Sequence, residues 1–417
     1  MEPFNYEPID LEGPAFRLVR LCQGSDNDIR CEIFQALLRP PEVVMEFEAL
    51  SYTWGSTEKL DDINISGSTM KVTQNLYLAL RHLRHPDEDR ILWIDAICIN
   101  QDNKKELGHQ VRHMAEIYNK ARGVIIWLGT ATDETCVIMD SMKKLQEESN
   151  KYAYNDWKVS DKRWEEIWSD IQPTLKSEHP NLVARQHEGL KSLLGRSWFK
   201  RVWILQEVAN ARAAIVVCGP VSVPARIFAF VPSLVGISPE PYCQAVLDIM
   251  PGPSRTHSWW SQKQDLFTLL VKFSECEATD PRAHIYALLS MSSDACDTNF
   301  LRADYTKSVQ EVIHDTTLFL LSSHKLGHTI YDLPSWTIPQ FLQTLNSPSN
   351  ITSIPVCRKS LRAEKIIGTL TLSILKSIHT LISLIICYKL YSVATPGHLK
   401  PLLLENYIHI VAIIANL

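Results

Sequence analysis

Residues 91–98 read ILWIDAIC, apolar throughout except for Asp95. An unbroken apolar run of this length is expected of a strand buried on both faces of a sheet. Runs of the same kind follow at 123–129 (GVIIWLG) and 213–219 (AAIVVCG), and FEALSYTW at 47–54 precedes them, ending at Gly55. Helical patterns fill the intervals. VTQNLYLALRHLR places Leu76, Ala79, Leu80 and Leu83 on one face, with Thr73 as its N-cap. Residues 103–121 carry the clearest helix, with Leu107, Val111, Met114, Tyr118 and Ala121 in one stripe. Strands alternating with crossover helices predict an α/β fold with a mostly parallel sheet and flanking helices. Such sheets bind ligands beyond the carboxyl ends of their strands. Here those ends are Trp54-Gly55-Ser56, Asp95 through Gln101, and Leu128-Gly129.

Around this block the chain divides further. FRLVRL and RCEIFQALL, separated by the turn signal GSDND, read as an antiparallel pair covering an edge, within residues 1–46. The α/β domain takes 47–220, with an acidic and aromatic insertion at about 132–190. A mainly helical module is expected over 221–345, and a basic apolar tail over 346–417.

The 417 residues carry a net charge of −5, which gives no general attraction for nucleic acid. Ten cysteines without a CxxC pair, and an acidic start without an apolar signal core, predict reduced thiols in a cytoplasmic protein. From residue 351 onward there are seven Lys or Arg but only two acids, Glu364 and Glu405. This tail reads as a basic helix packed on the body, as a membrane-contacting segment over 366–393, or as a non-native extension. Membrane contact is the least favoured of the three.

Several chemistries are excluded at the level of motif. There is no P-loop, no GxGxxG, no GxSxG and no zinc spacing. Glu106, His109, His113 and Glu116 share a helix face opposite the apolar stripe, and the expectation there is a solvated face, not a metal site. Asp95 is more pointed, because an unpaired carboxylate inside an apolar strand is costly. Either it caps backbone or pairs with an arginine, or it opens with Asn100 and Gln101 toward a ligand. Ser51, Tyr52, Trp54 and Gly55 pose the same choice, Trp54 being a stacking surface for a flat ring or a core residue beside a turn glycine. WFKRVWILQEV at 198–208, read as one helix, has a core stripe through Trp198, Val202, Leu205 and Ala209. Trp203 and Glu207 share a second face that must meet protein or ligand.

Taken together, FEALSYTWGS, LWIDAICINQDN, QVRHMAEIYNKARGVIIWLG and RSWFKRVWILQEVANA resemble the fungal heterokaryon-incompatibility (HET) domain. DPRAHIYALLSM, RADYTKSVQEV and DLPSW resemble segments that commonly follow it. The resemblance implies self/non-self recognition in fused hyphae, programmed cell death, an incompatibility partner and self-association. The HET domain in turn is similar to TIR domains, which are flavodoxin-like and in some cases cleave NAD. Trp203 and Glu207 have the spacing of a TIR helix pattern, although Ile204 stands where TIR domains often carry Cys. That likeness implies Glu207 as the catalytic residue, NAD as a substrate with no resident cofactor, and Ser51, Tyr52, Trp54, Gly55, Asp95, Asn100, Gln101 and Trp203 as binding residues. Arg196 or Lys200 would meet the pyrophosphate. The alternatives are that Glu207 pairs with Lys200 or Arg201 in a structural network, or that its helix face is a docking surface.

Overall fold

The computed structural model describes residues 2–345 apart from 40–44, 57, 153, 155–156, 297–300 and 324–336. The basic apolar tail, including 366–393, and the DLPSW segment lie outside the described residues.

Among the described residues nine strands form one sheet: β1 (Ala15–Leu21), β2 (Arg30–Leu37), β3 (Glu48–Tyr52), β4 (Asp61–Ile65), β5 (Ser68–Val72), β6 (Arg90–Trp93), β7 (Gly123–Trp127), β8 (Ala214–Cys218) and β9 (Val221–Pro224). Their order is β5-β4-β2-β1-β6-β3-β7-β8-β9. The four apolar runs supply the parallel centre, β6-β3-β7-β8. The fold is α/β, but the sheet is mixed and not mostly parallel. The pairs β1–β2, β1–β6, β4–β5 and β8–β9 are antiparallel. The β4–β5 hairpin was unforeseen although its signal is local: Ser66 and Gly67, both at positive φ, form a tight two-residue turn between alternating segments.

Seven helices follow in the first part of the chain: α1 (Gln74–Leu83), α2 (Asp95–Cys98), α3 (Lys104–Lys120), α4 (Asp133–Ser149), α5 (Arg163–Glu178), α6 (Leu182–Leu194) and α7 (Ile204–Ala209). In α1 the buried residues are Leu76, Ala79, Leu80 and Leu83, and the Thr73 hydroxyl accepts the Leu76 N–H. α4 to α6 occupy the acidic and aromatic insertion. Residues 225–345 add further helices, and one continuous apolar core runs from Phe16 to Leu345. No helix among the described residues is long and apolar enough to cross a membrane.

Two local readings are corrected. ILWIDAIC is not one strand: β6 stops at Trp93, and Asp95 begins the single turn α2. An aspartate at a helix start satisfies an N–H there, which ends the strand at the first carboxylate. WFKRVWILQEV is not one helix either. A short 3₁₀ turn covers Ser197–Lys200, and α7 begins only at Ile204. Between them Arg201 pairs in parallel with Glu277, and Val202 N–H donates to the Glu277 carbonyl at 3.0 Å. That distant backbone partner diverts the chain from helical geometry.

Candidate functional site

The carboxyl ends of β3 and β6 converge on a buried polar cluster. β3 delivers Ser51 and Tyr52, 0% and 2% exposed. Past β6, Asp95 accepts the Ala96 N–H at 2.7 Å and the Trp54 indole N–H at 3.0 Å. The Gln101 amide donates to the Asp95 carbonyl at 3.0 Å. From the 3₁₀ turn, the Trp198 indole donates to the Ser51 hydroxyl at 2.9 Å. Arg201 donates to the Tyr52 carbonyl. α3 contributes Tyr118, whose hydroxyl donates to the Leu50 carbonyl at 3.2 Å.

Glu207 completes the group from α7. It is 2% exposed, and its Oε2 meets no hydrogen-bond partner among the described residues. Burial pushes its carboxyl up to about 7. The Arg201 guanidinium and the Ser51 and Tyr118 hydroxyls favour its charged form, while Asp95 opposes it. Asp95 is likewise raised by burial, against the pull of Arg201 and the Trp54 indole. Two carboxyls thus share one nearby cation. Taking carboxylates out of water raises their pKa, and a second acid close by raises it further. Burial holds the Tyr52 and Tyr118 hydroxyls far above their ordinary value, so both remain donors.

Of the residues singled out by sequence, the fold brings together Ser51, Tyr52, Trp54, Asp95, Gln101 and Glu207. Gly55 takes φ +74 in the exposed turn after Trp54, a conformation that favours glycine. Asn100 and Trp203 stand aside. The Asn100 side chain accepts the Asp102 N–H at 3.2 Å, closing its own loop. Trp203 is half-buried at the start of α7, packed on the core edge. The cations expected near a pyrophosphate are also elsewhere. Arg196 donates to the Thr130 carbonyl at 3.1 Å, and Lys200 lies 3.7 Å from exposed Glu277.

Three contributors escaped the sequence reading of a binding site. Arg201 entered it only as a partner for Glu207 in a structural network. Tyr118 belongs to the apolar stripe of α3 and reads as core. Asn75, on the first turn of α1, accepts the Trp127 indole N–H at 3.0 Å and donates to the Thr53 carbonyl, fixing the loop that carries Trp54. Nothing local distinguishes it from a solvated helix residue.

The expected solvated face of α3 is corrected. Glu106 and His109 are 2% and 3% exposed. β1 and the turn before it cover them: Arg17 forks onto both Glu106 oxygens, and His109 Nε2 donates to the Gly13 carbonyl at 2.9 Å. No group of His, Cys, Asp and Glu among the described residues has the geometry to hold a metal ion.

Residues 47–207 match the family model described as heterokaryon incompatibility protein (HET). The chain is also 29% identical over 409 aligned residues to heterokaryon incompatibility protein 6, OR allele, of Neurospora crassa. That alignment covers 84% of this chain and 58% of the relative, so the chain spans little more than half of the relative's length. No solved structure matches it.

Proposed function

We propose that this chain, which carries a heterokaryon-incompatibility domain over residues 47–207, is an intracellular effector of self/non-self recognition that triggers cell death, and that the Glu207 cluster cleaves NAD. The incompatibility role is supported by the domain and by the Neurospora relative. A TIR-like, flavodoxin-like arrangement is supported by the parallel neighbours β6, β3 and β7, with Glu207 on the helix before β8.

One observation carries the catalytic reading: at the carboxyl ends of β3 and β6, Glu207 is enclosed with its Oε2 unpartnered among the described residues, close to a second buried acid, Asp95. In NAD hydrolysis water bonds to C1′ of the nicotinamide ribose as the C1′–N bond breaks. The electron pair of that bond leaves on nicotinamide, and the proton of water passes to a base. A carboxyl near neutrality is matched to that transfer, and an ionised one stabilises the oxocarbenium-like state. At 2% exposure Glu207 is closed off in this conformation, so the rim formed by Trp54 and Asp95 has to part before a dinucleotide reaches it. Self-association is the proposed trigger.

Purified full chain, incubated with NAD, is expected to release nicotinamide, and Glu207→Ala to lower the rate by about 100-fold or more. Undiminished turnover in the variant removes Glu207 from the chemistry. An inert wild type, even when concentrated, removes NAD cleavage and leaves the incompatibility role standing.

The enclosure of Glu207 favours a second reading, a non-enzymatic assembly module. In that case Trp198 and Arg201 lock β3 to the segment that leads into α7, and half-buried Trp203 anchors a partner. Killing that survives Glu207→Ala but is lost with Trp203→Ala separates this reading from catalysis.

A further inference from the structure

The segment that carries Glu207 is held at three points by one later stretch of chain. At its start, Val202 N–H donates to the Glu277 carbonyl at 3.0 Å. In its middle, the Gln206 amide donates to the Tyr286 carbonyl at 3.3 Å. At its end, Arg255 donates through Nη2 to Val208 at 2.6 Å and through Nη1 to Ala211 at 2.9 Å, both backbone carbonyls. The third donor of Arg255, Nε, meets the Ile249 carbonyl at 2.8 Å.

Arg255 lies on the short helix Pro253–His257, reached through Gly252 at φ +142. A Cβ at Gly252 would come within 2.6 Å of the Arg226 Cβ, so the close approach requires glycine. All three nitrogen positions of the guanidinium are directed at carbonyls. Burial lowers Arg255 to about 10, with no acid offsetting it. A cation drawn out of water needs compensating dipoles, and the carbonyls at a helix end carry partial negative charge. The match is therefore between Arg255 and the end of α7. It is made with backbone, so nothing in the side-chain pattern of 198–208 announces it.

We infer that Arg255 is a positioning residue for Glu207: it pins the end of α7 so that the carboxyl stays against Ser51 and Tyr118, and residues 255–286 thereby control access to the cluster. This control comes from outside the matched HET segment, which stops at Glu207 itself. Its meaning rests on reading the cluster as the functional site; its test does not.

The test is hydrogen exchange on the full chain and its variants. Arg255→Met is expected to speed exchange in 204–209 by about tenfold while α3 changes less than about twofold, because local opening is then decoupled from global unfolding. Arg255→Lys, whose ammonium still reaches one carbonyl, is expected to recover about half of that change on a logarithmic scale. A second readout is the titration of Glu207, taken as the difference in pH–stability profile between Arg255→Met and Arg255→Met/Glu207→Gln. Its midpoint is expected to fall from about 7 by at least one pH unit, toward the ordinary value, as water reaches the carboxyl. Uniform acceleration through α3 as well as α7, or a midpoint that stays near 7, overturns the proposal. Should Arg255→Met fail to fold, Gln206→Leu removes only the Tyr286 bond. It is expected to speed α7 exchange about threefold, and an unchanged rate overturns the proposal. NAD turnover is not read in either assay, so failure of this grip and failure of the catalytic reading are distinguishable.

Discussion

Glu106 and Glu207 are both 2% exposed, both on helices and both beside an arginine, yet their surroundings differ in kind. Glu106 is satisfied. Arg17 meets both of its oxygens, one at 3.1 Å, and the Asn100 N–H adds a third bond at 2.8 Å. Glu207 has an oxygen with no partner among the described residues, and a second buried acid, Asp95, opposes its charge. The first arrangement holds β1 onto α3. The second keeps a carboxyl close to neutrality inside the protein, which a purely structural role does not require. Burial by itself therefore does not distinguish the two acids; completeness of pairing does.

The largest effect is expected from breaking the satisfied pair. Arg17→Met strands Glu106 in the interior and is expected to cost about 3–5 kcal/mol in denaturant unfolding. A loss below about 1 kcal/mol would mean that water already reaches Glu106, and the contrast with Glu207 would collapse.

Glu207→Gln sharpens the other side. Between the ordinary carboxyl value of 4.5 and about 7, folded Glu207 keeps a proton that the unfolded chain has released. Stability of the wild type therefore falls as pH rises through that window and levels off above it, by about 3 kcal/mol in all. The variant should lack this fall, so it should gain on the wild type from pH 5 to pH 8. Parallel profiles for the two proteins would show Glu207 to be ionised throughout.

The smallest effect tests the rim. Trp54→Phe removes the indole donor from Asp95 and is expected to cost about 1 kcal/mol. It is also expected to lower nicotinamide release, since the rim is the proposed route to Glu207. A loss of several kcal/mol would make Trp54 a core residue and not a movable rim.

Much of the scaffold was legible. The apolar runs at 47–54, 91–98, 123–129 and 213–219 became β3, β6, β7 and β8, because a strand buried on both faces has to be apolar along its length. The α1 face and its Thr73 cap were legible because both depend on neighbours within a few residues. Ser51, Tyr52, Trp54 and Asp95 stood out because polar and aromatic residues at strand ends break that apolar rule, and the fold brings them together. Glu106 was misread for the converse reason: a polar residue opposite a helix's apolar stripe is normally solvated, and only a distant Arg17 made its burial tolerable.

By itself, then, the sequence determined which segments form the parallel centre of the sheet, where their open ends lie, and that an acid, Asp95, stands there. The tertiary structure decided which acid is paired and which is left wanting. Arg17 reaches Glu106 across 89 positions, and Trp198 reaches Ser51 across 147. Periodicity records the polarity of each face over a turn or two of chain. Whether a charge finds its counter-charge depends on what folding brings against it from far away, and no local pattern carries that information.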